Sequence, residues 1–196
     1  MIDSDQPFTT GGIALEDPES RYATVLSCLE SRRYAEALAL LDPLLAVHRR
    51  DARFYYARAV VYLSTGEYRK AGSDLLRTIT IDRTFLPAYR HLGFVQLTMG
   101  REESALKTLH SALAIDPGYT DAYCVLGDVY MDCGEHEKAR GAFEKALELD
   151  PHNPEIHCKL AMFYLSRGDM PGLRAEYAIL RELDADMAEQ IGNLLP

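Results

Sequence analysis

The chain has 196 residues, 47% hydrophobic and 26% charged, with a formal net charge of −9. That is the composition of an ordinary folded protein long enough to bury a sizeable core. The acid excess argues against non-specific attraction to nucleic acid or anionic lipid, and no window approaches the roughly 18 consecutive apolar residues of a membrane span.

Residues 1–17 carry Asp3, Asp5, Glu16 and Asp17, no basic residue, and a Thr-Thr-Gly-Gly stretch. This segment lacks the positive and apolar regions of a secretory signal. It reads as a disordered acidic tail, and the expected location is cytoplasmic.

From Pro18 onward one period governs the chain. Ala37, Ala71, Ala105 and Ala139 are each 34 residues apart, with Leu173 in the fifth place. Gly66, Gly100, Gly134 and Gly168 keep the same spacing, with Arg32 in the first slot, as do Leu41, Leu75, Leu109, Phe143 and Tyr177. Self-similarity at such a period marks a stacked-repeat architecture. The expected units are 18–51, 52–85, 86–119, 120–153 and 154–187, with a capping segment over 188–196, all in one domain spanning 18–196.

Each unit reads as two helices. In the fourth, Tyr123, Leu126, Gly127 and Tyr130 share one helical face, and Ala139, Phe143 and Ala146 share another. Gly134 stops the first helix, because glycine takes the left-handed conformation at little cost. Asp150-Pro151 ends the second. Small residues at Gly127 and Ala139 let the two helices approach, while the larger Tyr123, Tyr130 and Phe143 fill the space between hairpins. Asp17, Asp51 and Asn153 read as N-caps, two of them followed by Pro at the first helical position. The fifth unit is irregular: Pro171, Gly172 and the bulky Leu173 point to a second helix that starts late or packs differently.

The run Tyr123, Leu126, Gly127, Tyr130, Ala139, Phe143 and Pro151 resembles the tetratricopeptide-repeat (TPR) signature, with Tyr in place of the usual Trp. The third unit matches through Tyr89, Leu92, Gly93, Gly100, Ala105, Ala112 and Pro117, while the first and fifth are degenerate. The resemblance implies an all-α fold, a right-handed α-solenoid of helix-turn-helix hairpins with a C-terminal capping helix. It also implies a protein or peptide partner held in the concave groove. Carried over by motif position, the groove residues are Arg53, Tyr56, Val60, Leu63, Arg90, Phe94, Leu97, Asp121, Cys124, Asp128, Met131, Asp132 and Met162. Leu29, Leu63, Leu97, Met131 and Leu165 form an apolar row at the twelfth position of each unit, which either lines the groove or packs on the adjacent helix.

Charge is polarised along the repeats. The second unit has six basic and three acidic residues, the fourth three basic and eight acidic. A partner segment is therefore expected to lie with its basic end over the fourth unit. The carboxylate-clamp pattern of chaperone-tail-binding TPR proteins fits no frame of the sequence.

Four cysteines, Cys28, Cys124, Cys133 and Cys158, form no CxxC pair and read as buried or half-buried reduced thiols. No phosphate-loop, dinucleotide, nucleophile-elbow or HExxH pattern occurs. The expectation is a non-enzymatic adaptor or scaffold without metal or cofactor, making no membrane insertion. A dedicated chaperone for one client, or a self-assembling homo-oligomeric scaffold, are the alternatives.

Overall fold

The computed structural model describes residues 17–194; the expected acidic tail lies outside these residues except for Asp17, as do the last two positions of the expected cap. Eleven helices follow one another among the described residues. They are α1 (Pro18–Glu30), α2 (Tyr34–Val47), α3 (Ala52–Ser64), α4 (Tyr68–Ile81), α5 (Leu86–Thr98), α6 (Glu102–Ile115), α7 (Thr120–Asp132), α8 (His136–Leu149), α9 (Pro154–Arg167), α10 (Met170–Leu183) and α11 (Ala185–Gly192). Each packs on its chain neighbours, and α1 also touches α3, α5 touches α7, α7 touches α9 and α9 touches α11. The chain is thus an all-α solenoid of stacked hairpins with a terminal helix.

Every hairpin turn closes in one way. The N–H of Arg33, Glu67, Arg101, Glu135 and Asp169 donates to the carbonyl five residues earlier, on Cys28, Tyr62, Gln96, Tyr130 and Tyr164, at 2.7–2.9 Å. This is the six-to-one bond of a Schellman motif, which needs a left-handed residue just before it. Gly66, Gly100, Gly134 and Gly168 supply that residue with φ between 65° and 76°, whereas Arg32 is forced to φ 55°.

The core is a row of clusters, each made by successive hairpins. Val25, Leu41, Phe54 and Val61 form the first; Leu75, Ala88, Leu92 and Val95 the next; Leu109, Val125 and Leu126 the third. Phe143, Ile156 and Leu160 follow. Leu173, Leu180 and Ile191 then join α10 to α11, so the terminal helix covers an apolar face that would otherwise end the stack in water.

Close approach inside the fourth hairpin depends on Gly127: a Cβ there would lie within 2.6 Å of three Phe143 ring atoms. In the fifth hairpin the roles are exchanged. Gly172, on the second helix, makes room for the Tyr164 ring 2.7 Å from where its Cβ would be, and Leu173 is fully buried. The expected late start of that helix is corrected. α10 begins at Met170, in register with Tyr34, Tyr68, Glu102 and His136, because Asp169 accepts from Gly172 N and Pro171 sits in the first turn where no N–H is needed.

The caps divide. Asp51 and Asn153 accept from the backbone N–H of Arg53 and Glu155 as expected. Asp17 makes no side-chain cap bond, and Asp184, not anticipated, caps α11 through Met187 N. Cys133 also departs from expectation: it stands exposed at the C-terminal end of α7, where the helix has already stopped.

Two polar pairs replace apolar core contacts. Arg58 stands where the third, fourth and fifth hairpins carry Leu92, Leu126 and Leu160. Its Nε donates to Asp74 Oδ2 at 2.8 Å, and its Nη1 reaches Asp42 at 3.2 Å. His157 occupies the place of Tyr89 and Tyr123. The tyrosine hydroxyls donate to Arg83 O (3.0 Å) and Pro117 O (3.3 Å), and His157 Nε2 donates to the equivalent Pro151 O at 3.0 Å. Its Nδ1 lies 2.7 Å from Glu176 Oε2, with both residues buried.

Candidate functional site

The first helices of the second to fifth hairpins, α3, α5, α7 and α9, contribute to one wall, and two hollows lie side by side on it. The larger, about 530 Å³, takes Leu97 from α5, Asp128, Met131 and Asp132 from α7, Cys158, Lys159 and Met162 from α9, and Met187 from α11. Phe143 and Phe163 also line it. The smaller, about 390 Å³, is lined by Leu63, Arg90, His91, Phe94, Asp128, Glu155 and Lys159, among others. Asp128, Glu155 and Lys159 belong to both, so the hollows form one channel with a polar divide.

That divide is an ion pair across the stack. Lys159 Nζ on α9 donates to Asp128 Oδ2 on α7 at 2.7 Å. Burial pushes the Asp128 carboxyl above its usual range, and the Lys159 ammonium works against that shift. The apolar face on either side explains why the carboxylate needs its partner.

Leu63, Arg90, Phe94, Leu97, Asp128, Met131, Asp132 and Met162 therefore line the channel. Phe94 and Met162 are 42% and 45% exposed, large apolar side chains facing water. The twelfth-position row of Leu29, Leu63, Leu97, Met131 and Leu165 is half-buried throughout; Leu63, Leu97 and Met131 line the hollows, while Leu29 and Leu165 pack against the core.

The remaining sequence candidates lie elsewhere. Cys124 is 5% exposed and packed with Phe143, Ile156 and Leu160, with its thiol pushed up to about 12 by burial. Val60 is half-buried and lines neither hollow. Arg53 is tied to Glu19 at 2.6 and 2.9 Å and to Asp51 at 2.7 Å, which holds both carboxyls low. Tyr56 meets Phe85 at a tilt, 4.8 Å between ring centres, and stacks on His91 at 5.6 Å. Asp121 faces Arg90 at 3.5 Å, and Glu155 faces the same guanidinium at 3.6 Å. The expected charge polarity is thus much reduced on the wall: most of its acids already have basic neighbours.

Lys159, His91 and Met187 were missed by motif reasoning: Lys159 and His91 sit at the sixth motif position, and Met187 precedes where a sixth unit would begin. Glu155 shares the second motif position with Arg53 and Asp121 and was overlooked. The His91 ring is largely desolvated, which lowers it to about 4, with Arg90 adding to the fall. It is neutral at physiological pH.

Models of the tetratricopeptide-repeat family match residues 22–84 and 96–142, and a TPR-repeat model matches 127–168. The chain belongs to the tetratricopeptide-repeat family, whose repeats build protein-interaction scaffolds. No curated protein matches the sequence. Among solved structures, TTC0263, a thermophilic TPR protein of Thermus thermophilus, is similar at TM-score 0.81 and 25% identity, over 90% of this chain and 98% of that one. Pseudomonas aeruginosa pilF is similar at TM-score 0.74 and 19% identity, over 90% and 89%. YrrB, described as a TPR protein with an unusual peptide-binding site, has TM-score 0.62 and 18% identity, over 90% and 92%. At these identities the last two show a shared fold. No helix among the described residues is long and apolar enough to cross a membrane.

Proposed function

We propose that this protein is a non-catalytic adaptor that holds a segment of another protein in the channel on the α3–α5–α7–α9 wall. One observation carries the reading: two confluent hollows with Phe94 and Met162 exposed at them, on a wall whose other apolar residues are half-buried or buried. Exposed apolar side chains grouped around a hollow mark interaction sites, and methionine adapts to differently shaped partners. Half-burial of the twelfth-position row supplies rigidity, so the wall loses little freedom on binding. The peptide-binding site described for YrrB, on the same fold, supports the reading.

The test is affinity capture from a native extract with wild type, Phe94→Ala and Arg90→Glu. Each substitution is expected to weaken capture of a specific partner by roughly 5- to 30-fold, the range of an interface hot spot. Equal capture by all three, with helicity unchanged, rules the channel out as the docking site.

A further inference from the structure

The fold leaves one carboxylate of the channel without a partner. Asp128 is bonded to Lys159, and Asp121 and Glu155 face Arg90. Asp132 is exposed, lines the larger hollow, and has no ion pair or hydrogen bond among the described residues. Beside it Met131, Met162 and Met187 line the same hollow, and Met187 arrives from the terminal helix, so α11 closes that end of the channel. The lining holds three carboxylates, Asp128, Asp132 and Glu155, against one ammonium, Lys159, which is already committed to Asp128.

An apolar hollow with an acidic rim fits an occupant that joins an apolar side chain to a positive charge. We infer that the segment held at this end carries a large apolar anchor with a Lys or Arg close to it in sequence. The anchor sits among Met131, Met162 and Met187, and the cation sits on Asp132. This rests on the docking role proposed above and names the chemistry of the partner. Flexible thioethers accept Leu, Met or Phe alike, so the anchor's identity selects little. The base is the selective feature: an acidic flank would meet the unpartnered Asp132, and the nearest ammonium is already bonded to Asp128.

The test is selection of random short peptides, displayed on phage, against the full chain at low ionic strength. Met162→Lys, which places an ammonium in the hollow from a position 45% exposed, serves as counter-selection. Peptides that distinguish wild type from Met162→Lys are expected to share an apolar residue with a neighbouring Lys or Arg. They should bind Asp132→Asn about 3-fold and Asp132→Lys about 10-fold more weakly than wild type, with the differences fading toward about 1 M salt. Selected peptides with Asp or Glu flanks, or equal binding to Asp132→Lys, overturn the inference and leave the docking role standing. If no peptide distinguishes wild type from Met162→Lys, the docking role fails and this inference with it.

Discussion

Asp128 and Lys159 lie 31 residues apart in sequence and are joined at 2.7 Å across the α7–α9 contact, at the point where the two hollows meet. Their side chains keep 33% and 23% of their exposure, so the pair is neither a surface ornament nor fully dry. Removing Lys159 alone leaves a half-buried carboxylate facing apolar surface. Lys159→Ala is expected to cost about 1–2 kcal/mol, more than Asp128→Asn/Lys159→Ala together, with a coupling of about 1 kcal/mol. Urea midpoints of Lys159→Ala, Asp128→Asn and the double variant measure it; additive effects would show that the bridge contributes nothing.

Arg58 and Asp74 form a pair of the opposite design, an ion pair where neighbouring hairpins use leucine. Asp74 is 6% exposed; Asp74→Ala removes the two-point partner of a part-buried guanidinium, leaves it only the exposed Asp42, and is expected to destabilise by about 2 kcal/mol. Arg58→Leu/Asp74→Ala, which copies Leu126 and Ala142 of the fourth hairpin, is expected to return to within about 1 kcal/mol of wild type or exceed it. A double variant less stable than Asp74→Ala would contradict this.

Arg32 is the one non-glycine residue with positive φ among those described. The left-handed conformation strains a residue with a Cβ by about 1–2 kcal/mol, and glycine gives part of that back as unfolded-chain entropy. Arg32→Gly is therefore expected to stabilise the first hairpin by about 0.5–1 kcal/mol, read as a higher thermal midpoint or slower amide exchange in α1 and α2.

Gly127→Ala drives a methyl into the Phe143 ring and is expected to cost about 2–3 kcal/mol. The second hairpin already pairs Ala59 with Leu75, both fully buried. Gly127→Ala/Phe143→Leu therefore has a working precedent in the same chain, and more than half of the lost stability should return.

His91 makes stability depend on pH. Its folded-state value, lowered to about 4 from 6.5, means that the unfolded chain binds the extra proton between those values. The stabilisation is complete above pH 6.5 and is lost as pH falls toward 4, by up to about 3 kcal/mol. Arg90 opposes protonation and Asp121 favours it, while Tyr56 stacks on the ring. His91→Gln should flatten the stability profile over that window; an unchanged slope assigns the acid sensitivity to other groups.

The sequence alone determined the helices and their stacking, because the 34-residue recurrence of small, apolar and glycine positions states which faces meet. Gly127 is the clearest case: a small residue at a helix contact was expected, and Phe143 occupies the space it leaves. Phe94 and Met162 were equally legible, since motif position alone sets which way a residue on a rigid hairpin points. What a neighbouring hairpin does to a charge was not legible. Asp128 reads as a free groove acid until α9 brings Lys159 beside it, and Cys124 reads as a wall residue until Phe143 and Leu160 close over it. Asp132 and Met187 gain their meaning only when α7 and α11 share one hollow. Periodicity reports the direction of a side chain along its own helix, whereas partnering depends on distances of a few ångströms between helices, and those are set by packing.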